Sequence, residues 1–251
     1  MDSITSRRAG GLWRNWVGNQ SCIVRARGAP GSEAELSDMV RTAAAEGMAV
    51  RCAGSGHSFT PVALTSGLHL TLSGMQGVTD IDQERKRVSV SAGTTINALG
   101  KVLKANGLSL INQGDIDSQA LAGALTTGTH GTGATLGNMA SQIVGMRIVQ
   151  PDGSILVADE SNPDLLNAAR VSIGMLGVIS EITLQAMDSY RLHETLWRCS
   201  FEECMEHTTS SHPSIGISAS SGAPFRKADT ATACRTRPPS RRPTVFPTCA
   251  R

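Results

Sequence analysis

Between Asn112 and Gly133 the chain reads NQGDIDSQALAGALTTGTHGTG. The stretch is rich in glycine, alanine and hydroxyl side chains, with little periodicity of either the helical or the strand kind. Such residues bring little apolar surface to a core, so a fold containing them must build its core elsewhere. They suit a backbone that closes tightly round an extended polar ligand, donating N–H and O–H groups to it. A flexible loop is the alternative, but it leaves the unbroken run of small residues around His130 without a reason.

A second glycine-rich segment, Ala53-Gly54-Ser55-Gly56-His57-Ser58, follows directly on an apolar run, Met48 to Cys52, that reads as a strand. Small residues there let backbone N–H groups come close to an anion. Phe59, Thr60 and Pro61 come next, and Pro61 opposes immediate helix propagation, so this is not a nicotinamide-type dinucleotide fingerprint. Taken alone, the segment is equally a tight turn carrying a surface histidine.

From residue 20 to 187 strand and helix patterns alternate. Cys22–Ala26 reads as a strand. A helix follows, with Ser32 and Glu35 spaced as a capping box and Leu36, Met39, Val40, Ala43 and Ala44 on one face. Leu68–Leu72 and Val78–Ile81 are short strand candidates, and Arg87–Ser91 alternates. Ile96, Leu99 and Leu103 mark a second helix that stops at Gly107. Val144–Gln150 and Ser154–Val157 flank the turn Pro151-Asp152-Gly153 as a hairpin. Asn162-Pro163 opens a short helix through Arg170, and Gly177–Leu184 closes the region as a strand. The fold class is α+β.

At 251 residues the chain is long enough for one large domain or two modest ones without disulfide stapling. Its formal net charge of +2 conceals two unlike parts. After His207, Arg226, Lys227, Arg235, Arg237, Arg241, Arg242 and Arg251 face a single acid, Asp229, and prolines cluster. The first 207 residues are net acidic. The 208–251 segment, lacking a helical or strand period, reads as a basic Pro/Ser/Arg-rich tail without order. It has no aromatic interleaving, so a nucleic-acid partner is not expected. The six cysteines show no CxxC spacing, so no metal site is expected. With no long apolar run and no secretory signal, no integral membrane segment is expected and a cytoplasmic location is the default, membrane association being left open.

Several ordered segments together carry a resemblance: RCAGSGHSF at 51–59, INQGDIDSQALAGALTTGTHGTG at 111–133, IVQPDG at 148–153 and RVSIGMLGVISEITLQ at 170–185. The chain resembles the FAD-binding domain of the vanillyl-alcohol-oxidase/p-cresol-methylhydroxylase (VAO/PCMH) flavoproteins. Within them it is most similar to the sugar-lactone and alditol oxidases, such as L-gulonolactone and D-arabinono-1,4-lactone oxidases. The resemblance implies a VAO/PCMH-type FAD-binding domain with two α/β subdomains over residues 20–187, after a lead-in at 1–19. It implies FAD as cofactor, with Gly54, Ser55, Gly56 and Ser58 along the pyrophosphate and His57 bonded to the 8α-methyl of the flavin. Asp115, Ala122, Gly123, Thr127, Gly128, Thr129, Gly131 and Gly133 would line the pyrophosphate and flavin channel, and Gly177, Val178 and Ile179 would meet the adenine end. His130 either hydrogen-bonds near the flavin or is a structural histidine.

The reaction implied is oxidation of a sugar-derived aldonolactone or alditol by hydride transfer to flavin N5, with electrons passed to O₂ or another acceptor. Alternatives are a related flavin dehydrogenase acting on a hydroxy acid or other alcohol, and a catalytically incomplete FAD-binding fragment. In the family a cap (substrate) domain follows. Residues 188–207 read as a bridge towards it, and the chain departs from the pattern after about residue 208. Codons can be chosen for IGISASSGAP at 215–224 that, read two bases later, give RHFSFFWRP, close to the family's continuation. A shifted reading frame is therefore the expected origin of the 208–251 segment. The cap is expected to be missing, and no catalytic residue is assigned.

Overall fold

The computed structural model describes residues 7–133, 135–191, 193–199, 217–221 and 230–236. Two compact units emerge: Met1–Gly131 with Gly137–Asp188, and Thr132–Leu136 with Ser189–Arg251.

The larger unit begins with β1 (Arg7–Arg14) and β2 (Ser21–Gly28), followed by α1 (Glu33–Ala45), β3 (Val50–Cys52) and β4 (Leu68–Leu70). These strands form one sheet in the order β1-β2-β4-β3, with β1 antiparallel to β2 and the other pairs parallel. Ser32 caps α1 by accepting from the Glu35 N–H at 3.2 Å, while the Glu35 carboxylate accepts from the Gly31 N–H at 2.9 Å. The capping box is thus present, with its return bond one residue earlier than usual. Leu36, Val40 and Ala43 are buried on one stripe of the helix, as the 3.6-residue period requires.

The second sheet takes β5 (Val78–Asp82), β6 (Arg87–Ser91), β8 (Ile143–Val149), β9 (Ile155–Asp159) and β10 (Val178–Gln185) in the order β5-β6-β10-β8-β9, all antiparallel. Between β6 and β8 lie α2 (Ile96–Ala105), β7 (Leu108–Ser109) and α3 (Leu121–Thr126); α4 (Pro163–Arg170) lies between β9 and β10. A two-residue strand, β11 (Met187–Asp188), pairs with β7. Thr95 and Asn162 cap α2 and α4 with their side-chain oxygens, and Pro163 stands at the first position of α4, where its missing N–H has no cost. One continuous core joins the elements, with Leu36, Leu68, Leu70, Ile96, Leu99, Leu103, Leu121, Leu125, Ile143, Ile148 and Ile182 fully buried. Each such side chain contributes about 1.5–3 kcal/mol by leaving water.

Glu33, at the start of α1, joins the first sheet and its helix (the first lobe) to the second sheet and its helices (the second lobe), both within the larger unit. Arg147 of β8 donates to its carboxylate through Nε (2.9 Å) and Nη2 (2.7 Å), and Ser180 of β10 adds a third bond at 2.7 Å. The Arg147 hydrogen bonds hold the Glu33 carboxyl below its ordinary value, against the effect of burial, and Glu33 in turn raises Arg147.

In the smaller unit, β12 (His193–Cys199), β13 (Ile217–Ser221) and β14 (Thr230–Thr236) form an antiparallel sheet in the order β12-β14-β13. Within the 208–251 segment, the described residues Ile217–Ser221 and Thr230–Thr236 are strands. TATACRT at 230–236 does alternate, but for too few residues to stand out among the surrounding prolines and arginines. Within the 1–19 lead-in, Arg7–Arg14 is a strand and pairs with β2. RRAGGLWR has no period of its own; its partner strand recruits it. The frame-shift expectation rests on residues of which most lie outside those described.

Candidate functional site

Beyond Cys52 the backbone leaves β3 and turns through Ala53–Thr60. This turn is held from two sides. The Ser55 hydroxyl donates to the Ser118 carbonyl at 2.7 Å and accepts from the Ala120 N–H at 3.0 Å, so the two glycine-rich segments are bonded to each other. From the other side comes the turn between β1 and β2. The Trp16 N–H donates to the Gly56 carbonyl at 2.9 Å, and the Asn15 amide donates to the Ser58 carbonyl at 2.9 Å.

His57 sits between these supports. Its ring lies 5.0 Å from that of Trp16, at a tilt of 38°, and its Nε2 is 3.4 Å from the Ser118 hydroxyl. The 117–120 segment is fixed in turn by the start of α2. Asn97 takes the Asp117 carbonyl with its N–H and the Asp117 carboxylate with its side chain (2.8 and 2.6 Å), and the Ile96 N–H donates to the Gln119 carbonyl.

Together these segments wall a cavity of about 660 Å³, lined by Ala53–Ser58, by Gln119–Ala120 and residues of α3, and by Ile173, Gly174 and Gly177–Ile179. Ala53, Gly54, Ala92, Gly93, Ala120, Ala122, Gly123 and Ala124 keep the wall close to bare backbone. A Cβ on Gly54 would stand 2.8 Å from the Ala120 Cβ, tighter than packed carbons allow, so the approach of the two segments requires glycine there. No Asp or Glu lines the cavity among the described residues; beside His57, the one ionisable cation is Arg51. Its guanidinium reaches the Ile173 carbonyl at 3.5 Å and the Met175 sulfur at 3.9 Å, and meets no carboxylate among the described residues. Cys52 also lines the wall, and burial pushes its thiol up to about 12, which keeps it protonated and unreactive.

Of the residues singled out in the sequence, Gly54, Ser55, Gly56, His57, Ser58, Ala122, Gly123, Thr127, Gly177, Val178 and Ile179 are brought together on this wall. Asp115, Gly128, Thr129, His130 and Gly131 are not among its lining residues, and Gly133 belongs to the smaller unit. His130 is exposed, its Nδ1 2.9 Å from the Gly131 carbonyl. Arg51, Trp16, Ser118 and Gln119 escaped the sequence reading. An arginine one residue before the end of the strand that feeds the glycine turn was a usable signal for Arg51. Nothing local marks the others, whose contacts span tens of residues.

An acid-free cavity with a backbone-lined wall and one guanidinium that meets no carboxylate among the described residues fits an anionic ligand. With the two lobes around it, this defines a dinucleotide-binding domain of the VAO/PCMH flavoprotein type. Residues 25–159 match the family described as "FAD binding domain", and the chain belongs to that family. It is similar to L-gulono-1,4-lactone dehydrogenase of Mycobacterium tuberculosis, 44% identical over 195 residues, which cover 78% of this chain and 45% of that one. L-gulonolactone oxidase of Mus musculus is 33% identical over 199 residues, covering 79% and 45%. The chain therefore spans less than half the length of these relatives. Among solved structures, a variant of cholesterol oxidase from Brevibacterium sterolicum superposes with a TM-score of 0.83 at 15% identity, over 95% of this chain and 49% of that one. That likeness bears on the fold alone. No helix among the described residues is long and apolar enough to cross a membrane.

Proposed function

We propose that the chain is the flavin-holding part of an FAD-dependent oxidoreductase that oxidises a sugar-derived aldonolactone or alditol. The observation that carries the reading is the 660 Å³ acid-free cavity with the His57 ring fixed at its wall. The substrate class is supported by the names of two relatives, a gulonolactone dehydrogenase and a gulonolactone oxidase. FAD, when bound, supplies the hydride acceptor; the chain positions it and excludes water around it.

In this reading the backbone of Gly54–Ser58 and the α3 residues Ala122 and Gly123, with Thr127, run along the diphosphate, while Gly177–Ile179 meet the adenine end. His57 would hold the flavin through a bond from a ring nitrogen to its 8α carbon, the one hydrogen lost from each partner and the two electrons going to dioxygen or another oxidant. FAD would supply the hydride acceptor, and its electrons would go to the same kind of oxidant. The two relatives' names divide between dehydrogenase and oxidase, and the acceptor is read directly from oxygen uptake against dye reduction.

The test is acid precipitation of the flavin-loaded protein. Flavin should stay with the pellet in the wild type and leave with the supernatant in His57→Ala; release from the wild type overturns the covalent bond. Anaerobic addition of L-gulono-1,4-lactone or a polyol should leave the flavin of this chain oxidised, because the substrate domain is expected to be missing. Bleaching would overturn that expectation and place a substrate pocket on this chain.

A further inference from the structure

We propose that the turn between β1 and β2, Asn15–Gln20, is the mount that fixes His57 for the flavin, with Asn15 as its positioning residue; this rests on the reading that His57 faces the flavin. Asn15 is only 6% exposed and its amide is saturated. It donates to the Ser58 carbonyl at 2.9 Å and to Asn19 Oδ1 at 2.7 Å, and its own oxygen accepts from the Gln20 N–H at 3.0 Å. Asn19 and Gln20 then converge on the Phe59 carbonyl at 3.3 and 3.1 Å. With the Trp16 N–H on Gly56, the carbonyls on both sides of His57 are all held from this one turn.

Trp16 adds the ring contact at 5.0 Å although 68% of its own surface is exposed. The ring contact adds a side-chain restraint on His57 to the backbone bonds made from the same turn. The mount and the histidine loop are some forty residues apart in sequence, so only the folded sheet brings them together.

The experiment compares the chain with Asn15→Asp, which keeps the size but turns a donating NH₂ into a carboxylate facing the Ser58 carbonyl. Val40→Ala, in the buried stripe of α1 away from the cavity, controls for a general loss of stability. The readouts are the His57 ring signal in ¹⁵N-imidazole NMR of the flavin-free chain, assigned with His57→Gln, and the Kd for FAD from flavin fluorescence. Asn15→Asp should move the His57 signal, leave those of His69 and His130 in place, and weaken FAD about tenfold. Val40→Ala should leave the His57 signal and the Kd within twofold.

An unmoved His57 signal in Asn15→Asp, or an equal movement in Val40→Ala, overturns the proposal. If Asn15→Asp does not fold, the exposed double change Asn19→Ala/Gln20→Ala frees the Phe59 carbonyl without opening the core. A smaller shift of the His57 signal then supports the mount, and none overturns it. A wild-type chain that binds no FAD sinks the flavin reading, while the His57 signal still decides the role of the turn.

Discussion

His69 lies in the centre of the first sheet, in register with Arg27 of β2 on one side and Arg51 of β3 on the other. It is 6% exposed, its ring rests 4.8 Å from that of Trp13, and its Nε2 has no hydrogen-bond partner. Burial first, and the Arg27 charge second, push its pKa down from 6.5 to about 4. Between those values the unfolded chain takes up a proton that the folded chain refuses. Stability is therefore complete above pH 6.5, falls as the pH drops towards about 4, and levels off below. The span corresponds to at most about 3 kcal/mol. Urea midpoints between pH 7 and 4.5 should fall less steeply in His69→Leu than in the wild type; parallel curves would assign the acid sensitivity to the carboxylates. Arg51 is the second residue with a legible charge role. With no carboxylate near it in the described cavity wall, its charge is available to an anion. Arg51→Gln should weaken FAD about tenfold in titrations at low salt, with the gap narrowing as salt is added, and leave uncharged riboflavin unaffected. Equal loss for both ligands would mean that the guanidinium only props the 173–175 segment.

At the scale of elements, β10 tests how the cavity is closed. Gly177, just before its first residue, has φ +135, and a Cβ there would run into the Val149 carbonyl of β8. Gly177→Ala should cost about 2 kcal/mol or more in urea unfolding, because the neighbour in the way is backbone and cannot swing aside. A cost below about 0.5 kcal/mol would show that the strand end yields. The elements that were legible in the sequence are those whose pattern is their own. α1 announced itself through Ser32, Glu35 and a stripe of apolar residues, α4 through Asn162-Pro163, and β6 through strict alternation. α3 was hidden although Leu121, Ala124 and Leu125 have helical spacing and are all buried, because the small residues around them blur the contrast on which periodicity depends. β1 was hidden because an edge strand takes its conformation from a partner, and β14, the middle strand of its sheet, because its alternation is too short to stand out. The candidate site divides in the same way. The glycines and His57 were visible from composition and order. Asn15, Trp16 and Ser118 were not, since a hydrogen bond across forty or sixty residues leaves no local trace.

For the molecule as a whole, the cavity lies where the first lobe's turn meets residues of the second sheet, so its ligand touches both. The Glu33–Arg147–Ser180 clasp joins the same two lobes at the start of α1. In the absence of ligand that clasp and the shared apolar core hold the lobes together, and the glycine-rich wall adds little, having almost no side chains to pack. A ligand that fills the wall supplies the contacts the sequence omits there. Binding to the folded state alone stabilises it by RT ln(1 + [L]/Kd), about 2.7 kcal/mol at a hundredfold excess over Kd. The thermal midpoint of the chain should therefore climb continuously with FAD concentration. ADP, which carries the diphosphate and adenine without the flavin, should raise it by less, and riboflavin by less again. A midpoint indifferent to FAD would show that the wall stands without its ligand. Equal shifts from FAD and ADP would place all the binding energy at the diphosphate and adenine and leave none to the flavin ring.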